Sequence, residues 1–275
     1  KAKELLSPGD SIDVDEARRL DGVVGVFTAA DLTGVRSVPP ARAGIPTSMS
    51  QVILATDRVR FVGQAVVAVV AETAAIAADA VDLVIVDYDE LPVVIDVEQA
   101  ARDDTLLFPE AGSNAVLRHA SARRADFAGC EVVLSERIVN QRLSGAPMEA
   151  RVGAAYWTDD GRLVHYSACQ GAHPTKVLLC ELYDLDPDLV RVIVPDMGGG
   201  FGVKSRTYPE EAALGFYAKV LGRPVKWTET RSENMLAMPQ GRGQVQDATI
   251  GGTRDGRITA YQLDVFQDAS AYPMT

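Results

Sequence analysis

The sequence predicts a mixed α/β protein of the α+β kind, built from two successive blocks. A valine-rich run, "RFVGQAVVAVVAE" at 60–72, is typical of a buried strand. The segment that follows, 73–84, carries apolar residues at helical spacing and aspartates on the other face. A pattern of strand, loop and helix then repeats between 163 and 222. Strands and helices therefore alternate in both halves of the chain.

Length and composition limit the classes of protein that need to be considered. The chain has 275 residues, 47% of them hydrophobic and 24% charged, with a formal net charge of -11. This is the composition of a globular protein with one large or two ordinary domains. The acidic balance excludes nucleic acid as a partner. No run approaches the roughly 20 apolar residues of a membrane span, and no leader opens the chain, so we expect a cytoplasmic protein.

The first block, residues 1–108, is predicted to be a small α/β unit. "DGVVGVFTAADL" at 21–32 indicates a strand followed by a turn, and the strand at 60–72 comes next. Ile76, Ala80, Leu83 and Val84 then mark a helix, and "IVDYDELPVVID" returns to extended structure. These patterns concern packing, and they contain no acid–base pair.

Residues 109–130 are predicted to link the two blocks because both periodicities stop there and Pro, Gly and Ser accumulate. The second block, 131–275, opens with strands that "SGAP" interrupts, and a strand "RLVHYSA" follows the turn at Asp160-Gly161. His173-Pro174 predicts the start of a helix. "DLVRVIVP" predicts a strand, and Thr207 with Glu210 suggests a capping box for the helix that Gly222 ends.

The stretch "VPDMGGGFGVKS", residues 194–205, connects that last strand to the next helix. A phosphate-binding P-loop that started at Gly198 would require glycine at 203, and so would the dinucleotide fingerprint, yet the residue is Val203. If the strands before Gln170 and before the glycines are parallel, both segments emerge at one carboxyl edge. Ligands of open α/β sheets bind at such edges.

The residues at this edge suit a cofactor. Glycines allow close approach and leave N–H groups free for an anionic or oxo group, although a tight connection without a ligand explains them too. Phe201 could wall a dry pocket. Gln170 could hydrogen-bond a metal oxo group without adding charge, or it could be an exposed glutamine at a strand end.

Cysteine and histidine offer no metal-ligand spacing. The three cysteines form no CxxC pair, and the three histidines show no zinc pattern. Cys169, His173 and Cys180 could be imagined as a metal site, but packing and capping explain them better. Any metal would have to arrive with its own ligands.

Several quoted stretches together resemble one enzyme family. The region 60–96 resembles the hammerhead-type α/β domain of the molybdenum hydroxylases, which include xanthine dehydrogenase, aldehyde oxidase and the carbon monoxide dehydrogenase large subunit. "RIVNQRLSGAPMEARVGAAYW", the Gln170 loop and "DMGGGFGVKS" resemble landmarks of that family's molybdopterin-binding domain. The form "NQRLSGAPMEAR" is closer to the carbon monoxide dehydrogenase type. The second block would then be the first part of a molybdopterin-binding domain.

The resemblance implies a cofactor and residues near it. Molybdopterin, in its cytosine dinucleotide form, would hold molybdenum through its dithiolene. Gln170, Gly199, Gly200, Phe201 and Gly202 would bind the cofactor, with Gln170 and Phe201 near molybdenum but not ligands to it. The enzyme would hydroxylate or oxidise a small substrate, namely an aldehyde, an N-heterocycle or carbon monoxide, with oxygen from water.

The resemblance also implies partners and a longer chain. Electrons would pass to a 2Fe-2S subunit and an FAD subunit in an oligomeric assembly. Ser205 stands where purine-hydroxylating members carry a glutamate, which argues against a xanthine-type substrate. The catalytic residue is unknown, because the general base is expected beyond Thr275. The chain thus resembles a middle piece of the catalytic subunit that is inactive alone.

Two other hypotheses stay open at this point. The chain could be a non-catalytic binding or assembly module that keeps the fold, which sequence beyond Thr275 would decide. It could also bind a nucleotide through the glycine loop, although Val203 argues against this.

Overall fold

The computed structural model describes residues 3–5, 12–40 and 42–273. The general base that was expected after Thr275 lies outside this range. The helices are α1 Asp15–Arg19, α2 Ala74–Asp82, α3 Val97–Ala100, α4 Ala172–Tyr183, α5 Pro209–Ala212, α6 Leu214–Leu221 and α7 Arg231–Ala237. The strands are β1 Lys3–Leu5, β2 Ile12–Asp13, β3 Val23–Phe27, β4 Arg58–Val59, β5 Ala68–Ala71, β6 Ile85–Val86, β7 Tyr88–Glu90, β8 Val132–Asn140, β9 Val152–Trp157, β10 Leu163–Ser167, β11 Val190–Ile193, β12 Val225–Thr228, β13 Gln244–Gly252 and β14 Ile258–Gln267. The mixed α/β class is confirmed.

The chain forms two compact units. Unit 1 contains Lys1–Pro40, Ser50–Val93 and Gly145–Met238, and unit 2 contains Ala41–Met49, Val94–Ser144 and Pro239–Thr275. These units join segments that are distant in sequence, so they group the chain differently from the blocks 1–108, 109–130 and 131–275. The block boundaries stay a prediction.

The N-terminal part of unit 1 contains the predicted strand and helix. β3 and β5 pair antiparallel, and α2 packs beside them with Ala80 fully buried. Thr73 caps α2 because its hydroxyl accepts from the N–H of Ile76 at 3.2 Å. The strand predicted at 60–72 is shorter, since only 68–71 is extended. Gly63 lies in a turn with φ +103°, where an added Cβ would be 2.7 Å from the carbonyl carbon of Leu236.

A four-stranded sheet with the order β11-β10-β9-β12 forms the centre of unit 1. β10 and β11 are parallel, with Leu163 opposite Val190, whereas β9 is antiparallel to both of its neighbours. The two strands thus meet the condition under which Gln170 and the glycine loop share an edge. Helix α4 connects β10 to β11 and begins at Ala172, so His173 lies in its first turn and not before it.

The helices after the glycine loop begin differently from the prediction. Pro209 is the first residue of α5, and the Glu211 carboxylate accepts from the N–H of Tyr208 at 3.4 Å. The capping box of Thr207 and Glu210 was wrong, because the Thr207 hydroxyl lies 2.8 Å from the Thr175 hydroxyl. Gly222 ends α6 with φ +60°, as predicted.

The core of unit 1 lies where α6 covers the sheet and β3. Phe216 and Tyr217 are buried, and the Tyr217 ring centroid is 4.9 Å from that of Phe27. Burying two aromatic side chains contributes on the order of 3–6 kcal/mol, which is enough to fix α6 in place. Since α6 and α5 follow the glycine loop directly, their packing fixes the C-terminal end of that loop.

Unit 2 contains an antiparallel sheet with the order β14-β13-β8. Arg137 of β8 pairs with Asp247 of β13 at 3.1 Å and with Glu98 of α3 at 2.5 Å. Within the described part of the chain, no helix is both long enough and apolar enough to cross a membrane.

Candidate cofactor loop

Gln170 and the glycine loop lie together in the structure. Gln170 follows β10, and residues 198–204 follow β11, so the parallel pairing brings both segments to one carboxyl edge. The N–H of Gln170 donates to the carbonyl of Lys204 at 2.8 Å. We call residues 198–204 the cofactor loop from here on. The cofactor-binding role of these residues stays a prediction.

The side-chain amide of Gln170 has a defined orientation. Its Oε1 accepts from the N–H of Gly202 at 2.9 Å and from the N–H of Lys204 at 3.3 Å. Two donors facing the same atom require an acceptor there, so the amide cannot be flipped. The Nε2 group has no acceptor within the described residues, and the side chain is exposed. Gln170 thus holds the loop with its carbonyl and keeps two N–H donors available.

The sequence had suggested that the N–H groups of the loop are free, but some of them are already bonded. Gly202 donates to Gln170, and Gly198 donates to the carboxylate of Glu149 at 3.0 Å. The N–H groups of Gly199, Gly200 and Phe201 have no acceptor in the part of the chain that the structure describes. Three consecutive unpaired N–H groups provide a set of donors that suits an anionic group.

The glycines are required for different reasons. A Cβ on Gly200 would lie 2.5 Å from Oε1 of Gln170, and a Cβ on Gly198 would lie 2.7 Å from the Cβ of Glu149. Gly199 and Gly202 have φ of +98° and +85°. Two glycines therefore admit neighbouring side chains, and two supply a left-handed backbone.

Phe201 is also in the left-handed region, with φ +52°. A non-glycine residue there costs on the order of 1–3 kcal/mol, and such strain is concentrated at functional sites. The sequence had suggested that the Phe201 ring walls a dry pocket. Within this chain the side chain is instead 75% exposed. The ring edge would lie 3.2 Å from a Cβ on Gly199.

Glu149 and Lys204 belong to this site, although the sequence did not identify them. The Lys204 ammonium is buried, with 1% of the side chain exposed, and its Nζ donates to Oε2 of Glu149 at 2.8 Å. Burial alone would raise the pKa of Glu149, but hydrogen bonds from Lys204 and Gly198 outweigh burial and lower it. The available signal was a pair of charges in apolar or glycine-rich surroundings, "PMEAR" and "FGVKS".

A second buried charge cluster lies close to Glu149 in sequence, just before β9. Arg151 is 1% exposed; its Nε donates to Glu229 at 2.9 Å, and its Nη1 donates to Glu210 at 3.1 Å. Burial would lower the pKa of Arg151, but these carboxylates raise it above its ordinary value. Asn234 donates to Glu229 at 2.7 Å. Arg151 is therefore paired and charged, as a buried cation requires.

Two further buried groups titrate abnormally. Burial raises the pKa of Glu211 to about 7, although the nearby Arg151 and the hydrogen bond from Ser167 oppose this. Burial lowers the pKa of His165 to about 4, and neither ring nitrogen has a hydrogen-bond partner. Both residues lie inside unit 1 and not on the cofactor loop.

The other residues considered from the sequence have structural contacts. Cys169 lies 3.3 Å from the Thr175 hydroxyl, and the Ser205 hydroxyl donates to the carbonyl of Gly202 at 2.6 Å. Among the described residues, no group of three or more His, Cys, Asp or Glu side chains could hold a metal ion.

Comparisons with known proteins agree with this geometry. Residues 107–275 match the model of the molybdopterin cofactor-binding domain, and residues 10–92 match the aldehyde oxidase and xanthine dehydrogenase a/b hammerhead domain. The chain is thus of the class that combines these two domains. It belongs to the molybdenum hydroxylase family of xanthine dehydrogenase, aldehyde oxidase and carbon monoxide dehydrogenase large subunits.

Individual relatives match nearly the whole chain. The nicotine 6-hydroxylase large subunit of Paenarthrobacter nicotinovorans is 36% identical over 96% of this chain and 33% of its own length. The carbon monoxide dehydrogenase large chain of Hydrogenophaga pseudoflava is 33% identical over 95% of this chain and 34% of its own. The crystal structure of quinoline 2-oxidoreductase from Pseudomonas putida 86 superimposes with a TM-score of 0.88 at 31% identity, covering 98% of this chain and 35% of that one. The chain therefore spans about a third of the length of these relatives.

Proposed function

We propose that this chain is part of the molybdenum-cofactor-binding catalytic subunit of a cytoplasmic oxidoreductase. The cofactor is molybdopterin in its cytosine dinucleotide form. A 2Fe-2S subunit and an FAD subunit accept the electrons in an oligomeric complex. When bound, the cofactor supplies two-electron oxidation of the substrate with oxygen from water.

The observation that carries this proposal is the donor set at the carboxyl edge. The free N–H groups of Gly199, Gly200 and Phe201 and the Nε2 group of Gln170 follow parallel strands in the matched molybdopterin-binding domain. A neutral set of donors fits an anionic cofactor that brings its own metal ligands. The groups present therefore fit molybdopterin.

Each residue has a distinct task in this proposal. Gln170 would donate from Nε2 to the bound cofactor, while its Oε1 keeps Gly202 and Lys204 in place. The loop N–H groups bind the anionic edge of the cofactor. Phe201, whose ring is exposed in this chain, would help to exclude water once the cofactor is bound.

The substrate class follows from the relatives and from position 205. Two of the relatives act on N-heterocycles by name, nicotine and quinoline, and another acts on carbon monoxide. Ser205 carries no charge for a purine, and its hydroxyl is bonded to Gly202. We therefore propose a small neutral substrate, with an N-heterocycle favoured by the nicotine and quinoline enzymes.

The test separates the two ends of the Gln170 amide. In the full-length subunit, expressed with its partner subunits, Gln170→Glu keeps an acceptor for Gly202 and Lys204 but removes the Nε2 donor. We expect normal stability and a turnover lowered on the order of 10–100-fold, since hydrogen bonds near charge contribute about 1.5–3 kcal/mol. Gln170→Ala should lower turnover and also loosen the loop.

Molybdenum analysis and pterin fluorescence after oxidation measure cofactor content, and substrate oxidation measures turnover. The matched control is Gln240→Glu, an exposed loop glutamine of unit 2, which should change neither quantity. A wild-type complex that assembles without molybdenum or pterin would contradict the proposal and would support a non-catalytic module.

A further inference from the structure

A buried lysine at the end of the cofactor loop is unusual enough to require an explanation. Lysine is almost never fully buried unless it is paired, yet the Lys204 side chain is 1% exposed. Among the described residues, its only recorded partner is Oε2 of Glu149, at 2.8 Å. The ammonium is therefore held by one carboxylate.

The same carboxylate also holds the other end of the loop. Oε2 of Glu149 accepts from the N–H of Gly198 at 3.0 Å, and the N–H of Glu149 donates to the carbonyl of Gly198 at 3.1 Å. Gly198 can lie this close only because it has no side chain. One oxygen atom thus joins the first residue of the loop to the last.

Glu149 can act as a clamp because its own backbone is fixed. Nη2 of Arg231 donates to the carbonyls of Pro147 at 2.6 Å and Met148 at 2.9 Å. Two residues after Glu149, Arg151 is held by the buried carboxylate of Glu229. The segment 147–151 is therefore tied to α7 and to the end of β12, independently of the loop.

The pairing also affects the charge at the site. The Lys204 ammonium and the Glu149 carboxylate neutralise each other, so the pair leaves little net charge beside the free N–H groups. Binding of an anion then depends on how well the N–H groups of Gly199, Gly200 and Phe201 are oriented. Orientation that is fixed before binding reduces the entropy lost on binding.

We propose that Glu149 is a positioning residue: with Lys204 and Gly198 it clamps both ends of the cofactor loop and orients its free N–H groups before the cofactor binds. This inference rests on the proposed function for the identity of the ligand. The clamp itself is a property of the chain without cofactor.

The experiment uses the full-length subunit, purified without cofactor and also as the complex with its partners. Glu149→Ala removes the clamp. Glu149→Gln keeps an acceptor for Gly198 and weakens only the bond to Lys204, so it serves if the alanine variant fails to fold. Hydrogen exchange of peptides that cover 198–204 reports on the loop, and pterin content reports on binding.

We expect exchange in the cofactor-free loop to accelerate on the order of tenfold or more in Glu149→Ala, and less in Glu149→Gln, while peptides from β9 and β10 stay protected. Pterin content should fall in the same order. The control is Glu98→Gln, which weakens the ion pair with Arg137 in unit 2 and touches neither the segment 147–151 nor the loop. It should not accelerate exchange in the loop selectively.

Two results would overturn the inference. Unchanged loop exchange in both Glu149 variants would show that the carboxylate does not clamp the loop. Acceleration spread evenly over unit 1 would show that Glu149 only stabilises the fold. If wild-type protein contains no pterin, the proposed function fails, but the exchange experiment still decides whether the clamp exists.

Discussion

Replacing Gly200 with alanine tests whether this glycine exists to accommodate Gln170. The added Cβ would lie 2.5 Å from Oε1 and 2.6 Å from Cδ of Gln170, about 1 Å closer than van der Waals contact allows. Gly200 has no positive φ, so alanine causes no backbone strain there. The exposed Gln170 side chain should move into solvent and lose its bonds to Gly202 and Lys204. At about 1 kcal/mol net for each bond, we expect a loss of about 1–2 kcal/mol.

A double-mutant cycle with Gln170→Ala isolates this contact. Once Gln170 is truncated, the new methyl group has space, so the two substitutions should cost about 1 kcal/mol less together than their sum. Urea unfolding measures the free energy, and the two tryptophans, Trp157 and Trp227, both report on the central sheet. Gly145→Ala is the matched control, because its Cβ would meet Val203 and not Gln170. Additivity of Gly200→Ala with Gln170→Ala would refute the reasoning.

Two further predictions concern cofactor retention and pH. Gly202→Val in the full-length enzyme should give folded protein with little bound molybdenum cofactor. The reason is that Gly202 has a φ of +85°, where a valine would be strained by about 1–3 kcal/mol. If the variant kept its cofactor and its turnover, the loop would only connect β11 to α5. Burial raises the pKa of Glu211 from 4.5 to about 7. The folded state therefore releases this proton at a higher pH than the unfolded state does. Glu211 should therefore contribute about 3 kcal/mol less to the free energy of unfolding at pH 8 than at pH 4.5, whereas burial of His165 contributes a rise of similar size between about pH 4 and 6.5. Glu211→Gln should remove the Glu211 contribution, so urea titrations of the variant should show the rise with pH from His165 that wild type largely offsets. The same pH profile for the two proteins would contradict the raised pKa of Glu211.

The sequence was sufficient for those features that depend on local pattern. Apolar periodicity and turn residues predicted α2, the strands β10 and β11, and the end of α6 at Gly222. The shared edge of Gln170 and the glycine loop was expected only if those strands were parallel, and the structure shows that they are. The predicted strand at 60–72 was too long, because Gly63 is required by a contact with Leu236 that is far away in sequence.

The sequence was not sufficient for the hydrogen-bond partners within the site. Glu149 and Gly198 are 49 residues apart, and Gln170 and Gly202 are 32 apart, so no local period connects either pair. A glycine loop also does not indicate which of its N–H groups are already bonded. The sequence therefore suggested Gly202 as a donor to the cofactor, whereas its N–H donates to Gln170 in the structure.

The glycines of the cofactor loop are better explained by rigidity than by flexibility. Gly198 and Gly200 remove side chains so that Glu149 and Gln170 can approach and bond the backbone. Those bonds fix the backbone on both sides of the free N–H groups, and the left-handed φ of Gly199 and Gly202 turns the chain between them. Glycine loses more conformational entropy on folding than any other residue, and the side-chain contacts that its small size permits offset this loss. A loop that would be mobile from its composition is therefore held in one conformation by neighbours that only glycine admits, and an anionic ligand would find its donors already oriented.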